Sequence, residues 1–160
     1  QVSLEPPPSP GATSVLVAAL GPVMLRLTGE LADGTITMAT GLKTLESHIV
    51  PGLAEGAERA GRGTPRVVAG FPIVLTANND AARAVASKIF AVYAQVPSYR
   101  AMLDREGVQG VEDLAIVGDE NTVRSQLSRL ESAGVTDLCA FPYEVESGDL
   151  ERTVEFLGQV

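Results

Sequence analysis

Few residues of this chain have the types and spacing that chemistry needs. There is one histidine, His48, one cysteine, Cys139, and no tryptophan. His48 lies within Leu45-Glu46-Ser47-His48-Ile49-Val50-Pro51, on a helix by its spacing, where packing rather than base catalysis is expected. A single His and a single Cys cannot build a His-rich or CxxC metal centre, so no metal site is expected. GxSxG, a Walker loop and GxGxxG after a strand are all missing from the sequence. Cys139 sits in the apolar run Leu138-Cys139-Ala140-Phe141 and reads as a buried, inert thiol. Asp104 and Glu106, and the pair Glu112 and Asp113, read as solvated charges at helix ends. No residue is assigned as catalytic.

What remains is backbone chemistry. Ala18-Ala19-Leu20-Gly21-Pro22 and Met38-Ala39-Thr40-Gly41 put small residues where an apolar run gives way to a helical stripe. There backbone N–H groups approach an anion closely, and the helix N-terminus adds positive potential. That chemistry suits a phosphate. Leu75-Thr76-Ala77-Asn78-Asn79 and Phe141-Pro142-Tyr143 occupy equivalent positions. Strand–Gly–helix turns occur throughout α/β proteins, so the pattern marks the ligand end of a fold and not the ligand.

The elements that must position these turns follow from periodicity. Val15 to Ala18 is a short continuous apolar run, as in a strand buried on both faces. Gly21-Pro22 opens a helix with Met24, Leu25, Leu27 and Leu31 as its stripe, and Asp33-Gly34 stops it. Thr35 to Met38 is a second strand. A helical region with Leu42, Leu45, Ile49 and Leu53 on one side runs to about Ala60, and Pro51 predicts a kink or a split. Arg66 to Thr76 is a third strand, with Pro72 suggesting a bulge or an interruption. Asn78 or Asn79 caps a long helix, and Tyr99 to Arg105 forms a shorter one. Asp119 caps a helix that ends at Gly134. Thr136 to Phe141 is the fourth strand, and Leu150 to Leu157 the last helix. Strands alternating with helices predict a mainly parallel sheet.

Composition excludes several classes. With 160 residues the chain suits one domain, and it is short for a closed eight-stranded α/β barrel of about 250 residues. Starting at Gln1 without Met, it reads as a processed or cut piece. A net charge of −8 and the absence of a Lys/Arg cluster argue against nucleic acid as a partner. From Glu131 to Val160 there are seven acids and one base, which reads as a solvated acidic face. The longest apolar stretch, Val15 to Leu25, is too short to span a bilayer. One cysteine and no signal pattern point to the cytoplasm. Residues 1–14 read as a Pro-rich linker and residues 15–160 as the folded unit.

A family resemblance becomes specific at Val15-Leu16-Val17-Ala18-Ala19-Leu20-Gly21-Pro22-Val23-Met24-Leu25 and at Gly29-Glu30-Leu31-Ala32-Asp33-Gly34-Thr35. Thr40-Gly41, His48-Ile49-Val50-Pro51, Pro97 to Gly107, Val117-Gly118-Asp119-Glu120 and Ala133 to Asp137 extend it. The chain resembles the C-terminal half of luciferase-like flavin and deazaflavin oxidoreductases, with the closest likeness to actinobacterial enzymes dependent on coenzyme F420. The resemblance implies half of a TIM (β/α)8 barrel, units five to eight. It implies hydride transfer between a deazaflavin and an organic substrate, with an FMN-dependent monooxygenase as the alternative cofactor reading. It also implies that Ala19, Leu20, Gly21, Pro22, Thr40 and Gly41 lie at the cofactor, near its phosphate. Relatives often carry Arg or Lys where Val23 stands, with Arg26 one turn along. The missing half would hold the catalytic groups, so the isolated fragment is expected to be inactive. Its expected partner is an N-terminal half-barrel or a second copy. A rival expectation is a non-catalytic half-barrel that dimerises.

Overall fold

The computed structural model describes residues 13–160; most of the Pro-rich segment expected at 1–14 lies outside the described residues. Five strands form one sheet, and every pairing in it is parallel. They are β1 (Leu16–Val17), β2 (Gly34–Met38), β3 (Arg66–Leu75), β4 (Ile116–Gly118) and β5 (Asp137–Pro142). Between them run α1 (Pro22–Leu31), a continuous helical segment from α2 (Leu42–Thr44) into α3 (Val50–Arg59), then α4 (Asn79–Ile89), α5 (Pro97–Glu106), α6 (Glu120–Ser132) and α7 (Asp149–Leu157).

The ten-residue β3 organises the sheet. β2 pairs with its first half, Arg66 to Gly70, and β5 with its middle, Val68 to Ile73. β4 pairs with its last residues, Ile73 to Leu75. Backbone direction shows which edge each partner uses. Arg66 N–H donates to Asp33 O and Thr76 N–H to Gly118 O, so even-numbered residues face β2 and β4. Val67 N–H donates to Thr136 Oγ1, so odd-numbered residues face β5. β4 thus continues the edge that β2 leaves, and the row of main positions is β1, β2, β3, β5.

That arrangement corrects two expectations. The strand count is five rather than four, because three residues of β4 are too few to show a period. Pro72 neither bulges nor breaks β3. Its missing N–H belongs to the even edge, in the gap between the β2 pairing that ends at Gly70 and the β4 pairing that begins at Ile73. No ladder bond is lost there.

Alternate residues of β3 point to opposite faces. Val67, Ala69, Phe71, Ile73 and Leu75 enter the main core with Leu25, Leu45, Ile49, Leu53, Val123, Leu130 and Phe156 from the helices. On the other face Val74 joins Met38, Val117 and Tyr143 beneath Ala82, Ala86 and Phe90 of α4. α4 therefore covers the C-terminal end of the face that would line a barrel. Ile36 and Phe141 remain exposed at 37% and 39%.

The α1 stripe is a further correction. Leu25 is buried, but Met24, Leu27 and Leu31 are exposed, and Thr28 and Gly29 take the inward face. Close helix approach decides this. A Cβ at Gly29 would lie 2.1 Å from Leu53 O, and one at Gly56 2.0 Å from Arg26 O. Only two glycines allow α1 and α3 to meet backbone to backbone, and that contact fixes the rotation of α1.

Pro51 produces no break. Leu45–Ile49 form a π-helical turn in which Val50 N–H donates to Leu45 O, five residues back. The wider turn accommodates a proline that has no N–H and whose ring would crowd the carbonyl four residues earlier. The helix then continues into α3. Asn78 caps α4 and Asp119 caps α6, through Ala81 N–H at 3.1 Å and Thr122 N–H at 2.8 Å. Gly134, at φ 97°, ends the α6 region.

Candidate functional site

The turn after β1 leads into α1 through Gly21 and Pro22. Gly21 is the N-cap, Pro22 the first helical residue, and no side chain among the described residues caps this end. Leu25 N–H is the first helix amide to reach a helical acceptor, Gly21 O, at 2.9 Å. The amides of Val23 and Met24 precede it and face forward from the helix. Gly21 is exposed, has ordinary φ of −81°, and a Cβ there would meet nothing within 4 Å. The end of α1 is open.

In front of it lies a cleft of about 290 Å³. Ala18 to Gly21 and Met24 form one wall, Ile36 to Met38 another, and Ser98 and Tyr99 of α5 a third. Thr37 lies between Ile36 and Met38 on β2, and its side chain points to the opposite, buried face of the strand. The Tyr99 ring meets Tyr93 edge-on, with centroids 4.9 Å apart. Burial, with Tyr93 beside it, pushes the Tyr99 hydroxyl above its usual pKa. Of the expected site residues, Ala19, Leu20 and Gly21 line this cleft, and Pro22 starts the helix behind it.

His48 holds the turn from the side. Its Nε2 lies 2.8 Å from Leu20 O. A carbonyl only accepts, so Nε2 carries the hydrogen in this contact. His48 belongs to the π-turn created at Pro51. It packs between elements, as its sequence context suggests, and its polar atom anchors the carbonyl next to Gly21.

The turn after β2 is different. Ala39 takes φ 50°, the only left-handed non-glycine conformation among the described residues, and carries the chain into Thr40-Gly41. Both are buried, and neither lines the first cleft. The N-terminus of α2 is already filled by a carboxylate. Glu106 accepts from Lys43 N–H at 3.1 Å, Thr44 N–H at 2.8 Å and Thr44 Oγ1–H at 2.7 Å. A Cβ at Gly41 would lie 2.2 Å from Glu106 Cδ, so the missing side chain makes the room the carboxylate uses. Glu106 is therefore not a solvated helix-end charge. Its neighbour Asp104 is, exposed and paired with Arg100 at 2.7 Å. The sequence does hold a signal for this second turn, a Gly before a helix start, but nothing marks the acid sixty residues away that occupies it.

Cys139 is half-buried, in register with Gly70 and Met38 on the strand face that α4 partly covers. At the C-terminal end of β3, Leu75 N–H donates to Thr153 Oγ1 at 2.9 Å, and Thr153 donates to Asp149 O. Thr153 thus satisfies a strand edge where no further strand pairs. Among the described residues no group of three His, Cys, Asp or Glu is arranged to hold a metal ion. No helix among them is long and apolar enough to cross a membrane.

Comparison with known proteins agrees with this architecture. The family model described as luciferase-like monooxygenase matches residues 1–137. The chain is 27% identical to the 5,10-methylenetetrahydromethanopterin reductase of Methanopyrus kandleri, covering 89% of this chain and 48% of the relative. The solved structure of the coenzyme F420 dependent tetrahydromethanopterin reductase from the same organism superposes with a TM-score of 0.70 at 26% identity, over 90% of this chain and 48% of that one. An F420-dependent secondary alcohol dehydrogenase gives the same TM-score at 17% identity, over 92% of this chain and 50% of that one. The oxygenating constituent of 3,6-diketocamphane monooxygenase from Pseudomonas putida, solved with FMN, gives 0.68 at 16% identity, over 91% and 47%. The last two show the shared fold. The chain spans about half the length of the curated relative it matches. The parallel α/β arrangement expected from the alternation of strands and helices is that of these luciferase-like barrels, and the chain covers about half of them. It belongs to the luciferase-like monooxygenase family.

Proposed function

We propose that this chain is the C-terminal half, units five to eight, of a barrel that carries out F420-dependent hydride transfer on an organic substrate. In this reading it holds the phosphate end of the deazaflavin at Ala19-Leu20-Gly21-Pro22. The observation that carries the reading is the open N-terminus of α1, with space at Gly21 and forward amides at Val23 and Met24. The group fits there by that geometry, an uncapped helix start with room for an anion to approach. When bound, the deazaflavin would supply the hydride chemistry.

The chain's own residues bind and orient. Backbone amides of α1 receive negative charge, aided by the helix dipole. His48 keeps Leu20 O turned aside and so fixes the turn. Met24, Ile36, Met38 and Tyr99 exclude water from the cleft. Thr40 and Gly41 enter as the neighbouring turn, which leads into the Lys43 and Thr44 amides that Glu106 holds. Val23 is 66% exposed and brings no charge to the turn.

The rest of the barrel would join at two places. Among the described residues β1 pairs only with β2, and β5 only with β3, so each keeps an open edge. Beside β1, exposed Val23, Met24, Leu27 and Leu31 offer an apolar helix face. An N-terminal half-barrel would cover both, and a homodimer through the same edges is the alternative outcome. FMN remains the second cofactor reading, favoured by the FMN-bound monooxygenase of the same fold.

The test is a fluorescence titration of the full barrel with F420 and with FMN. Tighter binding of F420 supports the leading reading, tighter binding of FMN the second, and binding of neither overturns both. Gly21→Val localises the site. Nothing within 4 Å opposes a side chain there, so the variant folds, and its added bulk blocks anion approach to the turn. Unchanged affinity would remove the phosphate from this turn.

A further inference from the structure

We propose that Glu106 is a positioning residue for the cleft: by binding the N-terminus of α2, it sets α5 so that Tyr99 walls the cleft at the Leu20-Gly21 turn. The inference rests on reading that cleft as the cofactor site.

The geometry is that of one helix serving two turns. Tyr99 lies in the first turn of α5 and Glu106 is its last residue. At 1.5 Å per residue they are separated by roughly 10 Å along the axis. Through Tyr99 the helix reaches the turn after β1, and through Glu106 the turn after β2. Among the described residues the other polar bonds of α5 are local. Arg100 binds Asp104 and the carbonyls of Val108 and Gln109, all within nine residues. Glu106 instead reaches back 62 and 63 residues, to Thr44 and Lys43. The tie is built into the turn itself, since the room for the carboxylate exists only because residue 41 is Gly. A carboxylate on a helix N-terminus is also the charge that this end attracts.

If Glu106 acts through Tyr99, removing both should cost no more than removing Tyr99. Two measurements test this. The first is affinity of the full barrel for F420 and FMN in Glu106→Ala, Tyr99→Ala and the double variant. Each single change is expected to weaken the coenzyme that binds by about tenfold, and the double to match Tyr99→Ala alone. Losses that multiply would mean Glu106 acts elsewhere and would overturn the proposal.

The second measurement needs no cofactor. The methyl resonances of Met24 and Met38, which line the cleft with Tyr99, are expected to carry its ring-current shift. Tyr99→Ala removes that shift, and Glu106→Ala is expected to remove it too while the rest of the spectrum stays folded. Met methyl shifts unchanged in Glu106→Ala overturn the proposal. If the unaltered protein binds neither coenzyme, the cofactor reading falls, and these resonances still decide whether Glu106 places Tyr99. Should Glu106→Ala fail to fold, Gly41→Ala displaces the carboxylate without deleting it and must give the same loss of shift.

Discussion

His48 Nε2 lies 2.8 Å from the carbonyl oxygen of Leu20, and this contact joins the π-turn before α3 to the turn that opens α1. Its origin is Pro51. The proline widens the helix over Leu45–Ile49, and the widened turn presents His48 to the neighbouring βα unit.

His48→Ala leaves Leu20 O without this donor. Loss of one half-buried bond is expected to lower stability by about 1 kcal/mol in urea unfolding. Amide exchange should quicken at the start of α1 and stay unchanged in α6. Equal exchange at both helices would mean that the contact does not fix the turn.

Gly29→Ala tests the α1–α3 contact. The added carbon would lie 2.1 Å from Leu53 O and 2.7 Å from Ala57 N, both backbone atoms that cannot swing away. Overpacking of this kind costs about 3 kcal/mol. Gly21→Ala, at an open helix cap, should cost only a few tenths of that scale. Thermal melts of the two variants give the comparison.

Tyr143 governs the alkaline limb. Burial pushes its hydroxyl up to about 12, although nearby Arg83 pulls the other way. Its O–H donates to Ala82 O at 3.2 Å, joining the residue after β5 to α4. A folded-state value above the unfolded one, near 10, means that the neutral phenol stabilises the fold below that pH. The stabilisation is lost as pH rises from about 10 to about 12. Tyr143→Phe should flatten stability across this window, and ultraviolet titration should lose its latest phenolate step.

Asp137 governs part of the acid limb. Hydrogen bonds from Arg66, then from Thr136, hold its carboxyl below the usual value of 3.8. The sign is opposite to that of Tyr143. This contribution is present above the unfolded value and is lost as pH falls below about 4. Asp137→Asn should make unfolding less steep in pH below 4 and leave the slope at neutral pH unchanged. An unaltered acid slope would show that the Arg66 pair does not couple to folding.

Much of the fold was legible because its signals are local. Asn78 and Asp119 cap the helices their positions suggest, Gly134 ends α6, and the Leu45, Ile49 and Leu53 stripe is buried. Each depends on residues within a turn or two. β4 was hidden because three residues carry no period. The α1 stripe misled because Met24, Leu27 and Leu31 are apolar yet exposed, while two glycines decide which face packs.

The residues alone determined the alternation of strand and helix, the caps, and the placing of Gly at two helix starts. They also determined the family resemblance, since those turns recur as contiguous motifs. Only the tertiary structure decided how the two turns differ. One helix start is open to a cleft, and the other is filled by Glu106 from 62 residues away. Both have the same sequence pattern, and a backbone amide's partner depends on what the fold brings within 3 Å of it.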